Sequence, residues 1–266
     1  MVLSKNIVSF FEKHREFKER KVVEVGIGPL YSYAKLDTGT VGIYYSFLEE
    51  FNGPPPTISK LAGGFKIGEI LHFLESDNIV ERVILFASLA ALGQEYNRKI
   101  ETVKNVKLLE LLEPYLENRV VVVIGYLTPI VRELWKRENL KVYVFERNKS
   151  RIGNGVLSDI FEEKYLEKAD IVIFTGAALV LPNIDRLLEL SKNAEIRAVV
   201  GPSASLPVDI LADSGFHIIG GSFLKKKEHV VRLVMLGAGY RILKKLGLTD
   251  EFFYLEGGRG KSKSRG

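Results

Sequence analysis

Four apolar runs in the second half of the chain each stop at residues able to hold a ligand. Val120–Ile124 precedes Gly125-Tyr126, and Val142–Phe145 precedes Glu146-Arg147. Ile171–Phe174 precedes Thr175-Gly176, and Ala198–Val200 precedes Gly201-Pro202-Ser203. Gly125 would let a ligand approach the backbone, and a helix capped by Thr128, with Pro129 at its first position, would favour an anionic group there. Glu146 stands 21 residues after Gly125 at the end of the second run, where a carboxylate can accept hydrogen bonds from sugar hydroxyls or meet a cation. An ion pair with Arg147 would use the same carboxylate structurally. Thr175, Gly176, Gly201, Pro202 and Ser203 offer hydroxyls and amides without a general base beside them, so binding suits them better than catalysis. Helix capping by Ser203 or Ser205 is the structural alternative.

Several chemistries are excluded. The chain has no cysteine, which removes disulfides, thiolate catalysis and cysteine-ligated metal. Its four histidines, at 14, 72, 217 and 229, show no HxxH or HExxH spacing. VVVIGYLTPI carries one glycine of the GxGxxG dinucleotide fingerprint, and no GxSxG elbow occurs.

The elements that must position these residues follow from periodicity. Continuous apolar runs alternating with helical patterns predict parallel strands buried on both faces, whose carboxyl ends share one rim. If three strands run outward and the fourth crosses back beside the first, Gly125 and Gly201 flank the switch point. Helices are expected at 128–135, 158–167, 185–191, 208–213 and 228–236, with a further strand at 216–219. Earlier in the chain, residues 3–19 form an amphipathic helix and strands fall at 21–27, 31–36 and 40–47. In the last of these, Val41, Ile43, Tyr45 and Phe47 alternate as in a strand buried on one face. Helices follow at 66–74 and 79–92, the latter interrupted if Val83–Phe86 turns to strand. Tyr31 and Tyr33 could line a cleft between the two halves. The fold class is α/β: a small α+β domain over 1–105, a Rossmann-like parallel-sheet domain over 106–250, and a basic, disordered tail over 251–266.

The formal charge of +5 sits mostly in that tail, where Arg259, Lys261, Lys263 and Arg265 have no acid among them in the last ten residues. Removing these four positives from +5 leaves +1 for the body, so nucleic acid is not an expected partner. No apolar stretch approaches a membrane span and no signal-peptide core opens the chain, so no membrane association and a cytoplasmic location are expected. A homodimer is the base-rate expectation for any oligomer.

The runs VVVVIGYLTPIVREL, VYVFERN, ADIVIFTGAALV and VVGPSASLPVDILADSGFHIIGG together resemble the DUF364 family over residues 106–235. The resemblance implies a Rossmann-like domain beside a small domain similar to the enolase N-terminal module, with a ligand cleft between them and a role in heavy-metal chelation. Glu146, Arg147, Thr175, Gly176, Gly201, Pro202 and Ser203 match the family pattern, and with Gly125 and Tyr126 they make up the candidate ligand-binding residues. Leu181-Pro182-Asn183-Ile184 departs from the asparagine–glycine–threonine segment of many relatives. Two functions follow. One is binding of a small anionic or metal-associated ligand. The other is an enzyme using S-adenosylmethionine or another nucleotide, which makes a divalent metal or an adenosine-containing ligand the candidate cofactor.

Overall fold

A computed structural model describes residues 2–51, 53–55 and 57–258. Helix α1 (Val2–Lys13) leads into a small antiparallel sheet of β1 (Lys21–Gly26), β2 (Tyr31–Leu36), β3 (Val41–Tyr45) and, after the short helix α2 (Ile58–Leu61), β4 (Phe65–Lys66). Their spatial order is β3-β2-β1-β4. A 3-10 helix (Ile67–Glu75) then runs into α3 (Ile79–Tyr96). The second sheet contains β5 (Val120–Ile124), β6 (Lys141–Glu146), β7 (Val156–Ser158), β8 (Ile171–Thr175), β9 (Ile196–Val200), β10 (Ile218–Leu224) and β11 (Thr249–Leu255). Among and before them lie α4 (Leu108–Leu112), α5 (Thr128–Leu134), α6 (Glu163–Leu166), α7 (Ile184–Leu190), α8 (Val208–Asp213), α9 (Lys227–Met235) and α10 (Tyr240–Lys245).

The large sheet has the order β11-β10-β9-β8-β5-β6-β7, parallel except for β11, which runs antiparallel to β10. Its central strands are buried on both faces, as their unbroken β-branched sequences require. One face carries Val121, Val123, Ile171 and Ile173 against Leu112, Val131 and Leu134 of α4 and α5. The other carries Val122, Ile124, Val172 and Phe174 into a core shared with α1, α3, α7 and α8.

Three residues, Val156–Ser158, alter the expected topology. They form β7 outside β6, so the chain crosses back one segment earlier, at β8. With β7 counted as third, the parallel strands read 3-2-1-4-5-6, the doubly wound order. The switch point therefore lies between Gly125 and Thr175, and Gly201 is one strand further out. The expected helix over 158–167 is correspondingly shortened to a 3-10 turn (Asp159–Phe161) and α6.

Other local expectations are corrected by packing. The N-terminal helix stops at Lys13 and a 3-10 turn takes Arg15–Phe17. Thr128 is the first helical residue of α5 and does not cap it; Leu127 occupies the cap. β10 continues through Gly220-Gly221 to Leu224 because β11 pairs with it along its whole length. The expected tail accordingly begins too early: residues 251–255 belong to β11, while 259–266 lie outside the described residues.

Strand β3 is buried on both faces, not one. On one side lies α3, which is unbroken at Val83–Phe86 and buried from Ile79 to Gln94. Asn78 caps it by accepting from the Val80 N–H at 2.9 Å and the Glu81 N–H at 3.4 Å. On the other side of the small sheet, Tyr33, Val41 and Ile43 pack with Val230, Val234 and Leu243 of α9 and α10. The late helices thus cover the early sheet. At the end of α3, Gln94 donates to the Ser222 carbonyl (2.8 Å) and accepts from the Leu224 N–H (2.8 Å). Asn97 likewise bonds Leu206 O (2.8 Å) and Val208 N–H (3.0 Å). Two buried side-chain amides therefore tie the helix between the sheets to both the last parallel strand and the start of α8.

Candidate functional site

Where the carboxyl ends of β5, β6, β8 and β9 meet the ends of β2 and β3, they enclose a cavity of about 230 Å³. All nine residues singled out from the sequence, Gly125, Tyr126, Glu146, Arg147, Thr175, Gly176, Gly201, Pro202 and Ser203, line it. The small sheet adds Tyr31 and Tyr45, the turn after β3 adds Phe47 and Glu49, and the segment after β6 adds Arg151, Asp159 and Glu162. Tyr33 does not reach it; its hydroxyl donates to Glu24 on the neighbouring strand. A larger, more open depression of about 740 Å³ beside α9 contains none of the nine.

Each backbone feature at the rim has a local cause. Gly125 has φ +87°, and a Cβ there would stand 2.4 Å from Thr175 Cγ2. The glycine is thus required by the fold at the switch point, independently of any ligand. Gly201, at φ +115° and ψ 172°, occupies a region open essentially to glycine alone, yet a Cβ there would meet nothing within 4 Å. Gly176 lets two loops touch, since its Cβ would lie 2.3 Å from the Ala204 nitrogen.

Ser203 caps no helix. Its buried hydroxyl accepts from the Tyr45 N–H at 3.1 Å, joining β3 to the β9 loop. Tyr44 reinforces this junction by donating to the Gly176 carbonyl at 2.7 Å. Ser203→Ala should leave the Tyr45 N–H without its acceptor and destabilise the chain by about 1–3 kcal/mol, readable as a lower urea midpoint at unchanged slope.

The charged groups divide into satisfied and unsatisfied sets. Glu146 is buried and accepts from the Arg147 N–H (2.9 Å), the Asn148 N–H (3.0 Å) and the Tyr126 N–H (3.2 Å). Arg151 Nη1 adds a fourth contact at 3.3 Å. Four donors saturate a carboxylate, so Glu146 braces the β5 and β6 loops and has little left for a sugar hydroxyl. Arg147 is equally engaged: it grips Glu50 with Nε and with Nη2 (3.0 Å) and meets Asp159 at 3.5 Å. The hydrogen bonding to Glu50 raises its pKa further.

Glu49 and Glu162 have no cationic partner within ion-pair distance among the described residues. Glu49, at the exposed mouth, receives only a long bond from the Tyr45 hydroxyl (3.4 Å). Glu162 is buried and accepts from Asn183 Nδ2 at 3.0 Å. Burial, with Asp159 next in effect, raises its carboxyl to about 7, against the lowering influence of Asn183 and Arg147. Burial likewise pushes the Tyr31 and Tyr45 phenols up, keeping both neutral. Tyr31 and Thr175 also line the cavity, and no hydrogen bond engages either side-chain hydroxyl among the described residues.

Sequence reasoning missed Arg151, Asp159 and Glu162. The available signal was an acidic cluster, Asp159, Glu162 and Glu163, just after the glycine-rich loop 153–155. For a metal, the lining supplies oxygen donors only: it holds no histidine, and the chain has no cysteine. No three His, Asp or Glu side chains gather into a metal-binding group among the described residues. These donors do not fit a bare soft metal ion. No helix among the described residues is long and apolar enough to cross a membrane.

Comparison with known proteins agrees with this architecture. Residues 107–250 match the model of the DUF364 family, described as "Putative heavy-metal chelation". Residues 12–93 match a second model, DUF4213, with the same description. An uncharacterized protein of Methanocaldococcus jannaschii is 32% identical over 200 residues, covering 74% of this chain and 75% of its own. The crystal structure of a DUF364 protein of unknown function from Pyrococcus horikoshii superposes with a TM-score of 0.82 at 22% identity, over 96% of this chain and 100% of that one. Another, from Desulfitobacterium hafniense, gives 0.76 at 20% identity, over 94% and 100%. These two likenesses concern the fold.

Proposed function

This chain belongs to the DUF364 family, and from that premise we propose that its cavity binds a small cationic, metal-associated ligand that arrives with its own ligand shell. The observation that carries this reading is the charge balance of the lining. Four carboxylates, Glu49, Glu146, Asp159 and Glu162, stand against two guanidiniums, Arg147 and Arg151. Both guanidiniums are already paired, whereas Glu49 and Glu162 lack a counter-charge. A positively charged guest supplies what the cavity is missing; a small anion would add to the excess. Since the donors do not make a first coordination sphere for a soft metal, the metal keeps its own ligands. The protein contributes carboxylates, phenols and the Thr175 hydroxyl around them.

The doubly wound order favours a second reading, a nucleotide at the switch point. Against it stands Glu146, the residue placed to meet a ribose, whose oxygens are already filled by three backbone N–H groups and Arg151.

Native mass spectrometry and thermal shift of the full chain would test the reading with hexaamminecobalt(III), Co²⁺ alone, pyrophosphate and adenosine monophosphate. Stabilisation by the ammine complex supports it. Stabilisation by the anions alone, or by none of the four, overturns it. Arg151→Ala sharpens the test, because it removes one positive charge from the lining: affinity for the cation should rise severalfold and any affinity for pyrophosphate should fall. The reverse pattern in calorimetry would mark an anion site.

A further inference from the structure

We propose that Glu162 is the specificity-determining residue of this cavity: its second carboxylate oxygen receives the cationic, N–H-bearing face of the ligand. The assignment rests on the cationic reading above and deepens it to one atom. Glu162 Oε1 is taken by Asn183 Nδ2 at 3.0 Å, while Oε2 has no hydrogen-bond donor among the described residues. The residue is 4% exposed and lines the cavity, so the free oxygen is reached from that side.

Its setting is held at a cost. Asn183 turns its amide nitrogen to Glu162 and leaves its own Oδ1 buried without a donor. A buried unpaired acceptor is unfavourable, and here it accompanies a fixed orientation of the carboxylate. Asn183 does not line the cavity itself; its amide aims Glu162.

The charged groups that bear most on Glu162 come from its own segment and from the β6 loop. Asp159 and Glu163, on its own segment, repel its charged form, and Glu163 is itself near Arg186 of α7 at 3.5 Å. Arg147, from the β6 loop, attracts it, but is committed to Glu50 and Asp159. With this balance the carboxyl titrates near neutrality in the empty protein. A cation against Oε2 favours the ionised form, so binding releases a proton and tightens as pH rises through 7. Soft-metal selectivity would then reside in the ligand shell the guest carries, with the protein reading its N–H donors and charge.

Calorimetric titration of the full chain with hexaamminecobalt(III), in buffers of different ionisation enthalpy between pH 6 and 8, tests this. The unaltered protein should release a fraction of a proton at pH 7, and its affinity should rise across that range. Glu162→Gln, which keeps the acceptor for Asn183, should bind about tenfold or more weakly. It should also show no proton release and a flat pH profile. Equal affinity and equal proton release in a folded Glu162→Gln protein would overturn the assignment while leaving the cationic reading intact. No binding of the complex by the unaltered protein would overturn both. Asn183→Ala adds a readout for orientation: weaker binding with proton release retained is expected, and unchanged binding would argue against aiming by the amide.

Discussion

Gly42→Ala is expected to lose the native fold or to destabilise it by more than about 3 kcal/mol. A Cβ at that position in β3 would stand 2.0 Å from the Ala91 nitrogen, 2.4 Å from the Ala87 carbonyl oxygen and 2.6 Å from the Ala90 carbonyl carbon. All three are backbone atoms of α3, which is buried through this stretch and cannot retreat. Helix and strand approach this closely because Ala87, Ala90 and Ala91 face a glycine, so a single methyl must push whole elements apart. Gly39→Ala is the control: at φ +76° it is strained, but nothing lies within 4 Å, and about 1 kcal/mol is expected. Circular dichroism and urea denaturation of the two variants check the pair. Similar midpoints would mean that β3 and α3 are not in contact as described.

Replacing Glu162 by glutamine should stabilise the protein at alkaline pH and do little in acid. The carboxyl is raised from 4.5 to about 7 in the folded chain, chiefly by burial. Its neutral form is thus favoured by folding. The associated stability is fully present below the unfolded value, near 4.5, and is lost as pH rises through 7. Above pH 8 the unaltered protein must hold a buried, poorly compensated carboxylate, a penalty on the order of 3 kcal/mol. Glu162→Gln does not titrate and escapes it. Thermal unfolding from pH 4 to pH 9 should show the two curves converging in acid and separating by several degrees above pH 8, with the variant higher. Parallel curves would place Glu162 in contact with solvent or with a cation-bearing neighbour. A cationic guest should close the gap at high pH, since it supplies the missing charge.

The strands bearing the candidate residues were legible because each is buried on both faces. Runs such as Val120–Ile124 have no polar alternation to obscure them, and the residues that end them had to share a rim. That logic brought all nine to one cavity. It misplaced the switch point because three residues, Val156–Ser158, are too short a strand to show a period. The same stretch hid Asp159 and Glu162, whose importance comes from long-range contacts, Asp159 with Arg147 and the buried Glu162 with Asn183, and not from local spacing. Tyr45 and Phe47 were read as one alternating face, yet β3 is covered on both sides by helices distant in sequence, α3 and α9. Gly42 gave no local signal either, since only the approach of α3 makes its missing side chain necessary. The metal description of the family was equally out of reach of spacing rules, because the lining has no histidine or cysteine to be spaced.

The paired amides of Gln94 and Asn97 bear on how a guest is chosen. By fastening α3 to β10 and α8, they set the gap between the two sheets as a strut sets the jaws of a fixed gauge. Such bracing opposes a clamshell-like opening, so the proposed guest would be sorted by diameter before its charge is read.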